Sequence, residues 1–381
     1  MGVLINGEWQ RDDAGFHVDP SKQAGTFRTP HEHIEVEGGG RYVLYVAAGC
    51  PWAARAWMSC SATGMDVSGA LRVVRVFPAN QEDGWFFQPV SESEHRVVRE
   101  SGAEVQWDRI EPTRGFTHLH QVYAAGGAAS GEKVTGRVTV PLLLDSKTGR
   151  CISSESEDIA SILLGRFAPL HATPCPGMYP VAIREEIHDE IKILTKEVNS
   201  LVYGIHFAKT QAAFEDKMDV FFARLAHYEN ILRRRPWILP DSTEPSVLDL
   251  ILFATIVRFD IAYGTRFRMT QFTIRKNFPA LWHHCCRVYK VDGIKRAVQF
   301  PGILCMYYRS LPLVMKAGVT TGLLNVNYEQ DLAAGGLVDS HYGGTEGAGE
   351  VRFTMWPFVA SFVVGVGVGA AVYRFATKHL R

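Results

Sequence analysis

The sequence predicts a mixed α/β domain over residues 41–168, an all-helical domain over residues 178–312, and one transmembrane helix within residues 351–375. Three observations support this fold class. In the first part, β-branched and aromatic runs alternate with helical patterns, and in the second part apolar residues recur at helical spacing. Near the C-terminus, residues 355–373 carry no charged side chain, as a membrane-spanning helix requires.

Composition narrows the possible functions. A chain of 381 residues predicts two or more domains. Forty basic residues balance forty acidic ones, so no overall field favours nucleic acid, and we expect no nucleic-acid partner. The seven cysteines are odd in number and irregularly spaced, which argues against a disulfide framework and for a reducing compartment. Residues 1–40 are rich in Gly, Asp and Pro and predict an irregular extension without a targeting signal.

The α/β domain begins with a predicted buried strand over residues 42–46 and a turn over residues 47–49. Pro51 then suits the first position of a helix. Cys50 therefore lies at the helix N-terminus, where N–H groups and the helix dipole stabilise a thiolate, and we expect it to be a nucleophile. Ala53 stands where a second cysteine would be, so a redox cycle here needs an external thiol.

Further elements follow in a recognisable order. A strand is predicted over residues 71–77, a long irregular stretch over 78–136, and a strand over 138–145 whose partner is 150–152. A helix with an acidic first turn begins at Glu155. Strand–helix–strand followed by hairpin–helix is the thioredoxin-like arrangement. Proline is disfavoured in a central strand, so we expect Pro141 to form a cis peptide that faces the cysteine.

The second domain is predicted to be helical throughout. Apolar side chains recur at helical spacing from Ile183 to Leu194 and from Phe221 to Leu232, and Ser246 with Asp249 forms a capping box. A thioredoxin-like domain followed by a helical one is the glutathione transferase layout. The consecutive residues 283–286, His-His-Cys-Cys, point in four directions on a helix and cannot close a tetrahedral site, so we assign no metal.

Six short segments then carry a specific resemblance. Over residues 25–310 the chain resembles the glutathionyl-hydroquinone reductases, which are the Xi class of glutathione transferases. The segments that carry it are Cys50-Pro51-Trp52-Ala53 with Arg55, Asp83-Gly84-Trp85-Phe86, Gly136-Arg137-Val138-Thr139-Val140-Pro141, Ser154-Glu155-Ser156, Asn199-Ser200-Leu201-Val202-Tyr203 and Arg258-Phe259-Asp260-Ile261-Ala262-Tyr263.

The resemblance implies a thiol-exchange reaction. Cys50 would attack the sulfur of a glutathionyl-hydroquinone, release the hydroquinone and keep glutathione as a mixed disulfide. A second glutathione would then resolve that disulfide, so glutathione is the expected co-substrate and aromatic quinone or hydroquinone conjugates are the expected substrates. The chemistry requires one cysteine of low pKa and no resolving partner.

The resemblance also assigns binding residues. Six residues are implied to bind glutathione, namely Trp85, Arg137, Val140, Pro141, Glu155 and Ser156. The main chain at Val140 and Pro141 would hold the cysteinyl part, and Glu155 and Ser156 the γ-glutamyl end. Arg137 would pair with a carboxylate.

Tyrosines are implied to line the hydroquinone pocket. Tyr203 and Tyr263 match the family's positions, although each lies on an apolar helical face and packing in the core is the alternative. A third tyrosine is expected where this sequence has Gln299. The only Tyr-Tyr pair nearby is Tyr307-Tyr308, and Tyr308 is a candidate for the third tyrosine to which we do not commit.

The C-terminal region predicts a tail anchor. Residues 355–373 would cover the hydrocarbon thickness, with Trp356 and Tyr373 at the two interfaces. Residues 313–350 are rich in glycine and predict a flexible linker to a head in the cytosol. A moderate span with a short basic tail favours the mitochondrial outer membrane, with the endoplasmic reticulum or peroxisome as alternatives.

Two classes of function follow from these expectations. One is a membrane-anchored glutathione-dependent reductase, and the other is a membrane-tethered adaptor or receptor that keeps the fold without catalysis. Simple glutathione conjugation is a weaker rival, because it usually uses Tyr or Ser where this chain has Cys50. A homodimer is possible, and Gly365 with Gly369 would allow two anchors to pair closely.

Overall fold

A computed structural model of the chain describes residues 2–11, 27–309 and 333, all within the unit Met1–Thr345. Among the helices it describes, none is both long and apolar enough to cross a membrane. The predicted span 355–373 lies outside the described residues, and so does the linker 313–350 apart from residue 333.

The α/β domain is built on a four-stranded sheet. Its strands are β3 (Tyr42–Val46), β4 (Leu71–Arg75), β5 (Leu142–Asp145) and β6 (Arg150–Ser153), in the order β4-β3-β5-β6. β3 and β4 are parallel, whereas β5 is antiparallel to both β3 and β6. Every residue of β3 is buried, as its unbroken apolar run predicts for a central strand.

Helices complete this domain. α1 (Pro51–Ala62) follows β3 and confirms the helix start predicted at Pro51. α4 (Ser156–Ser161) follows β6, one residue later than predicted, with Glu155 as its N-cap. Strand–helix–strand followed by hairpin–helix confirms the thioredoxin-like arrangement.

Two stretches expected to be irregular contain regular structure. The first is the N-terminal extension, where β1 (Val3–Ile5) and β2 (Glu8–Gln10) form an antiparallel hairpin. The second is residues 78–136, which contain α2 (Glu92–Ser101) and α3 (Leu119–Ala129). α2 contains only two apolar side chains, Val97 and Val98, which are too few to show a repeat in the sequence. α3 contains adjacent glycines, which lower helix propensity.

The second domain is all-helical, as predicted. Its helices are α5 (Arg184–Leu194), α6 (Leu201–His206), α7 (Gln211–Leu232), α8 (Val247–Arg258), α9 (Gly264–Arg266), α10 (Ile274–Asn277), α11 (Pro279–Lys290) and α12 (Phe300–Arg309). The capping box predicted at Ser246 is present at the start of α8. α5 and α8 each continue into a π-helical turn, over Thr195–Asn199 and Phe259–Tyr263. Such turns are frequent at functional sites.

The two domains meet at the turn before α1. The buried guanidinium of Arg258 donates from Nε to the Gly49 carbonyl (3.0 Å) and from Nη2 to the Ala48 carbonyl (3.2 Å). α12 approaches the same turn so closely that a Cβ on Gly49 would lie 2.2 Å from the Cβ of Met306. The helical domain therefore fixes the backbone that precedes Cys50.

Candidate active site

Cys50 is the N-cap of α1, as the sequence predicts. Its Sγ accepts a hydrogen bond from the Ala53 N–H at 3.5 Å. Its thiol also donates to the Val140 carbonyl at 3.6 Å. The Val140–Pro141 peptide bond is cis, so the predicted cis-proline is confirmed and its residue pair faces the cysteine.

The ionisation of Cys50 differs from the sequence-based expectation. Only 5% of the residue is exposed, and this burial raises the pKa of its thiol. The Ala53 N–H, the Arg258 guanidinium, the Trp52 N–H and the Arg55 guanidinium oppose that effect. The expectation of a low pKa is therefore wrong for this structure, because desolvation outweighs the helix N-terminus and both arginines.

Three tyrosines share one hydrogen-bonded cluster. The Tyr307 hydroxyl lies 2.6 Å from the Tyr203 hydroxyl and 3.0 Å from the Tyr263 hydroxyl. Tyr263 and Tyr307 are fully buried, and Tyr203 is half-buried. Burial raises the pKa of all three hydroxyls, and a negative charge on Cys50 would raise those of Tyr203 and Tyr263 further. All three are therefore protonated donors at neutral pH.

The third tyrosine of the cluster is Tyr307 and not the candidate Tyr308. Tyr308 lies outside the cluster, and its hydroxyl donates to the Ile261 carbonyl at 3.3 Å. Consecutive residues on a helix point about 100° apart, so only one of this pair can reach Tyr203 and Tyr263. The sequence alone could not decide which one.

The residues implied to bind glutathione occupy different environments. Trp85 is buried and follows Gly84 in a tight turn. Arg137 is exposed, in the segment that leads to the cis-proline. At the start of α4, Ser156 is largely buried, and burial raises the pKa of the Glu155 carboxyl. The contact with Cys50 brings Val140 and Pro141 together with the cysteine.

Two cations near these residues were given no role by the sequence. Arg28 lies opposite Ser153 in an isolated β-bridge, and its charge lowers the pKa of Glu155. Arg55 on α1 is 2% exposed and stacks over the Trp52 ring at 4.3 Å. Its Nε and Nη2 have no hydrogen-bond partner in the described part of the chain. The position of Arg55 follows from the helix that begins after Cys50, whereas nothing in the neighbourhood of Arg28 indicated its location, which results from tertiary packing.

Possible metal ligands are engaged elsewhere. Residues 283–286 lie on α11, where His284 Nε2 is 2.8 Å from an Asp249 oxygen. In the described residues, Asp83, Glu94 and His118 bring ligand atoms within 4.8 Å of one another. However, Asp83 binds Arg11 through both oxygens and Glu94 binds His118 at 2.8 Å. We assign no metal to either group.

Comparison with known proteins identifies the family. PcpF of Sphingobium chlorophenolicum, a glutathionyl-hydroquinone reductase, is 30% identical over 329 residues, which cover 84% of this chain and 95% of the relative. The chain belongs to the glutathionyl-hydroquinone reductase family, the Xi class of glutathione transferases. A second such reductase, YqjG of Escherichia coli, is 28% identical over 347 residues, covering 87% of this chain and 97% of YqjG. The model of the glutathione S-transferase C-terminal domain matches residues 211–285.

Solved structures agree with this family. A Xi-class transferase from Natrialba magadii has a TM-score of 0.70 at 28% identity, covering 82% of this chain and 90% of that one. The glutathione-bound YqjG structure has a TM-score of 0.63 at 27% identity, covering 74% and 84%. These similarities confirm two predictions: the chain has the glutathione transferase fold, and it is an enzyme of a glutathione-dependent reductase family. Glutathione as co-substrate is confirmed at the level of the family, because the YqjG structure contains it.

Proposed function

We propose that this protein reduces glutathionyl-hydroquinones and consumes glutathione. The observation that carries the proposal is one cysteine at the N-terminus of α1, facing the cis-proline, together with the hydrogen-bonded cluster of Tyr203, Tyr263 and Tyr307. A negative charge on this cysteine would raise the pKa of the Tyr203 and Tyr263 hydroxyls, which links two members of the cluster to it electrostatically. An aromatic ring beside that cluster would meet both stacking surfaces and hydroxyl donors.

The reaction is a pair of thiol exchanges. The Cys50 thiolate forms an S–S bond with the glutathione sulfur while the bond from that sulfur to the ring carbon breaks. The electron pair stays with the ring, which takes up a proton, and the hydroquinone leaves. A second glutathione thiolate then attacks the mixed disulfide, so that glutathione disulfide forms and the Cys50 thiolate is restored.

The tyrosines would act on the hydroquinone oxygens. Because burial raises the pKa of each hydroxyl, they remain protonated and can donate hydrogen bonds as negative charge develops on the ring. Arg258 would act before the attack on the conjugate, because its positive charge lowers the pKa of Cys50 and so favours the thiolate. It thereby opposes the burial that keeps this thiol protonated.

Glutathione would bind between the α/β domain's loops and the cysteine. We propose main-chain contacts at Val140 and Pro141, and γ-glutamyl contacts at Glu155 and Ser156. Trp85 is proposed as a further contact. The exposed cation of Arg137 suits a carboxylate of the tripeptide.

Turnover of glutathionyl-menadiol by the full-length protein tests the reaction. We expect menadiol release that depends on both glutathione and Cys50, with a glutathione adduct on Cys50 detectable by mass spectrometry before the second glutathione is added. Cys50→Ser should abolish turnover. If the wild-type protein releases no menadiol, the reductase proposal fails, and the adaptor function regains support.

We also propose that residues 355–373 anchor the protein in a membrane with its head in the cytosol. The support is their uncharged composition and length. A fluorescent protein fused to residues 345–381 should mark the mitochondrial outer membrane. Labelling of the endoplasmic reticulum or of peroxisomes would replace the mitochondrial assignment with that membrane. A diffuse signal would refute the anchor. A homodimer stays a prediction, which light scattering of the detergent-solubilised protein would test.

A further inference from the structure

The N-terminal hairpin binds two separate segments that carry proposed glutathione contacts. The hairpin consists of β1 and β2 and continues to Arg11. One bound segment is the turn before Trp85, and the other is the extended run before Arg137. Neither of these two contacts is part of the four-stranded sheet, and neither involves Cys50 or the tyrosine cluster.

The turn before Trp85 is held by an ion pair. Arg11 donates from Nε to one Asp83 oxygen at 2.6 Å and from Nη2 to the other at 2.5 Å. Asp83 is largely buried, with 12% of its side chain exposed. A bidentate guanidinium–carboxylate pair fixes orientation as well as distance, so it sets where the turn lies.

Ring packing holds the same turn from the other side. The Trp9 ring stacks on His120, with ring centres 4.5 Å apart and planes inclined by 10°. His120 Nδ1 donates to the Asp83 carbonyl at 3.3 Å. Gly84 has a φ of +86°, and a Cβ there would lie 3.2 Å from the Trp9 ring. The turn therefore fits against Trp9 only with glycine at this position.

The second segment pairs with β1 through its main chain. Leu4 and Gly136 exchange two hydrogen bonds, of 2.8 Å and 2.7 Å, and the Gly7 N–H donates to the Val134 carbonyl at 2.7 Å. Gly136 directly precedes Arg137, and the same run continues to the cis-proline that faces Cys50. The hairpin thus adds an edge pairing to a segment that has no regular strand of its own.

We propose that the N-terminal hairpin is a positioning element of the glutathione site, which fixes Trp85 and Arg137 relative to each other through Arg11–Asp83 and Leu4–Gly136. The inference rests on the proposed function, since it takes Trp85 and Arg137 as glutathione contacts. In this role the hairpin acts on the binding residues and not on glutathione itself. It reduces the number of arrangements that the binding residues sample before the tripeptide arrives.

Glutathione affinity in the full-length Cys50→Ser protein tests the proposal, because that background cannot form the mixed disulfide. We expect Arg11→Gln and Asp83→Asn each to raise the dissociation constant for glutathione roughly tenfold, as the loss of a charged hydrogen-bond pair predicts. Calorimetry measures this constant. The double variant should bind glutathione as tightly as either single variant does, since each single substitution already removes the same Arg11–Asp83 pair. Arg11→Lys keeps the charge without the fork and should recover only part of the affinity.

Arg72→Gln is the matched control, because it makes the same chemical change at an exposed residue of β4 that belongs neither to the hairpin nor to the two bound segments. Its affinity should stay within about twofold of the parent. Thermal unfolding of each variant verifies that the comparison is made on folded protein. With Cys50 present, Arg11→Gln should raise KM for the glutathione conjugate and leave kcat within about twofold.

Two results would overturn the inference. One is an Arg11→Gln variant that is folded and binds glutathione within about twofold of the parent, and the other is a double variant whose loss is the sum of the two single losses. The reductase proposal is judged separately. Wild-type protein that binds glutathione with the expected variant pattern but releases no hydroquinone would refute the reaction and leave the positioning role intact.

Discussion

Replacing Tyr307 by phenylalanine removes one hydroxyl and keeps the ring. In the wild-type protein this hydroxyl is the shared partner of the Tyr203 hydroxyl at 2.6 Å and the Tyr263 hydroxyl at 3.0 Å. Because the cluster is buried, those hydroxyls lose a partner that water cannot fully replace. An unsatisfied buried polar group costs about 1–3 kcal/mol, so we expect the free energy of unfolding of Tyr307→Phe to fall by about that amount.

The effect on activity follows from the same bonds. If the cluster donates to a hydroquinone oxygen that gains negative charge, one lost hydrogen bond to a charged group is worth about 1.5–3 kcal/mol in the transition state. This corresponds to a decrease in kcat of roughly 10- to 100-fold. The assay is menadiol release from glutathionyl-menadiol at saturating glutathione, together with denaturant unfolding of the same preparations.

Tyr308→Phe is the matched control, since it makes the same chemical change on the adjacent residue. Its hydroxyl bonds only to the Ile261 carbonyl, at 3.3 Å, among the hydrogen bonds of the described residues. We expect a loss of about 1 kcal/mol in stability and a kcat within about twofold of wild type. If Tyr307→Phe keeps the wild-type kcat, or if Tyr308→Phe loses as much activity as Tyr307→Phe, the assignment of Tyr307 to the substrate pocket is wrong.

Three further outcomes are expected. Arg258→Met removes a cation that lowers the pKa of Cys50, so the rise of kcat/KM with pH should move to higher pH. The free energy of unfolding should also fall by roughly 2–4 kcal/mol. An unchanged pH profile would refute the electrostatic role of Arg258. Gly49→Ala forces the Cys50 turn away from α12 and should cost about 1–3 kcal/mol with reduced kcat, whereas Gly38→Ala, with no contact closer than 3.7 Å, should be nearly neutral in chemical denaturation. Burial raises the pKa of Glu94, but its hydrogen bonds with a histidine and two main-chain N–H groups outweigh this and lower it to about 2. Because the folded-state pKa is depressed, this stabilisation is present above the unfolded value of about 4.5 and is lost as pH falls towards 2; Glu94→Gln should flatten that part of the stability–pH curve, and an unchanged curve would contradict the assignment.

Local sequence was sufficient for features that depend on neighbours in the chain. A short apolar run, a glycine turn and Pro51 determine a strand followed by a helix start, and this alone places Cys50 at the N-cap. Pro141 within a predicted strand was sufficient to indicate the cis peptide. These inferences succeed because backbone preferences and capping act over a few residues.

Other features required elements far apart in sequence to meet. The hairpin was missed because β1 and β2 are three residues each, too short for a periodic signal, and the segment around Gly136 that pairs with Leu4 lies more than 100 residues away in the chain. The hydrogen bonds from Arg258 to the turn before Cys50 could not be predicted either, because the apolar sequence of α8 indicates only that this helix is buried.

The sequence by itself determined that Cys50 lies at a helix N-terminus, the order of the central strands and their helices, and the family to which the chain belongs. Only the tertiary structure decided which tyrosine completes the hydrogen-bonded cluster with Tyr203 and Tyr263, and in which direction the pKa of Cys50 shifts. Tyr307 and Tyr308 differ by one step around α12, and the packing of that helix against the Cys50 turn selects Tyr307. The pKa of Cys50 depends on desolvation by residues from both domains, and burial there outweighs the helix N-terminus that the local sequence provides.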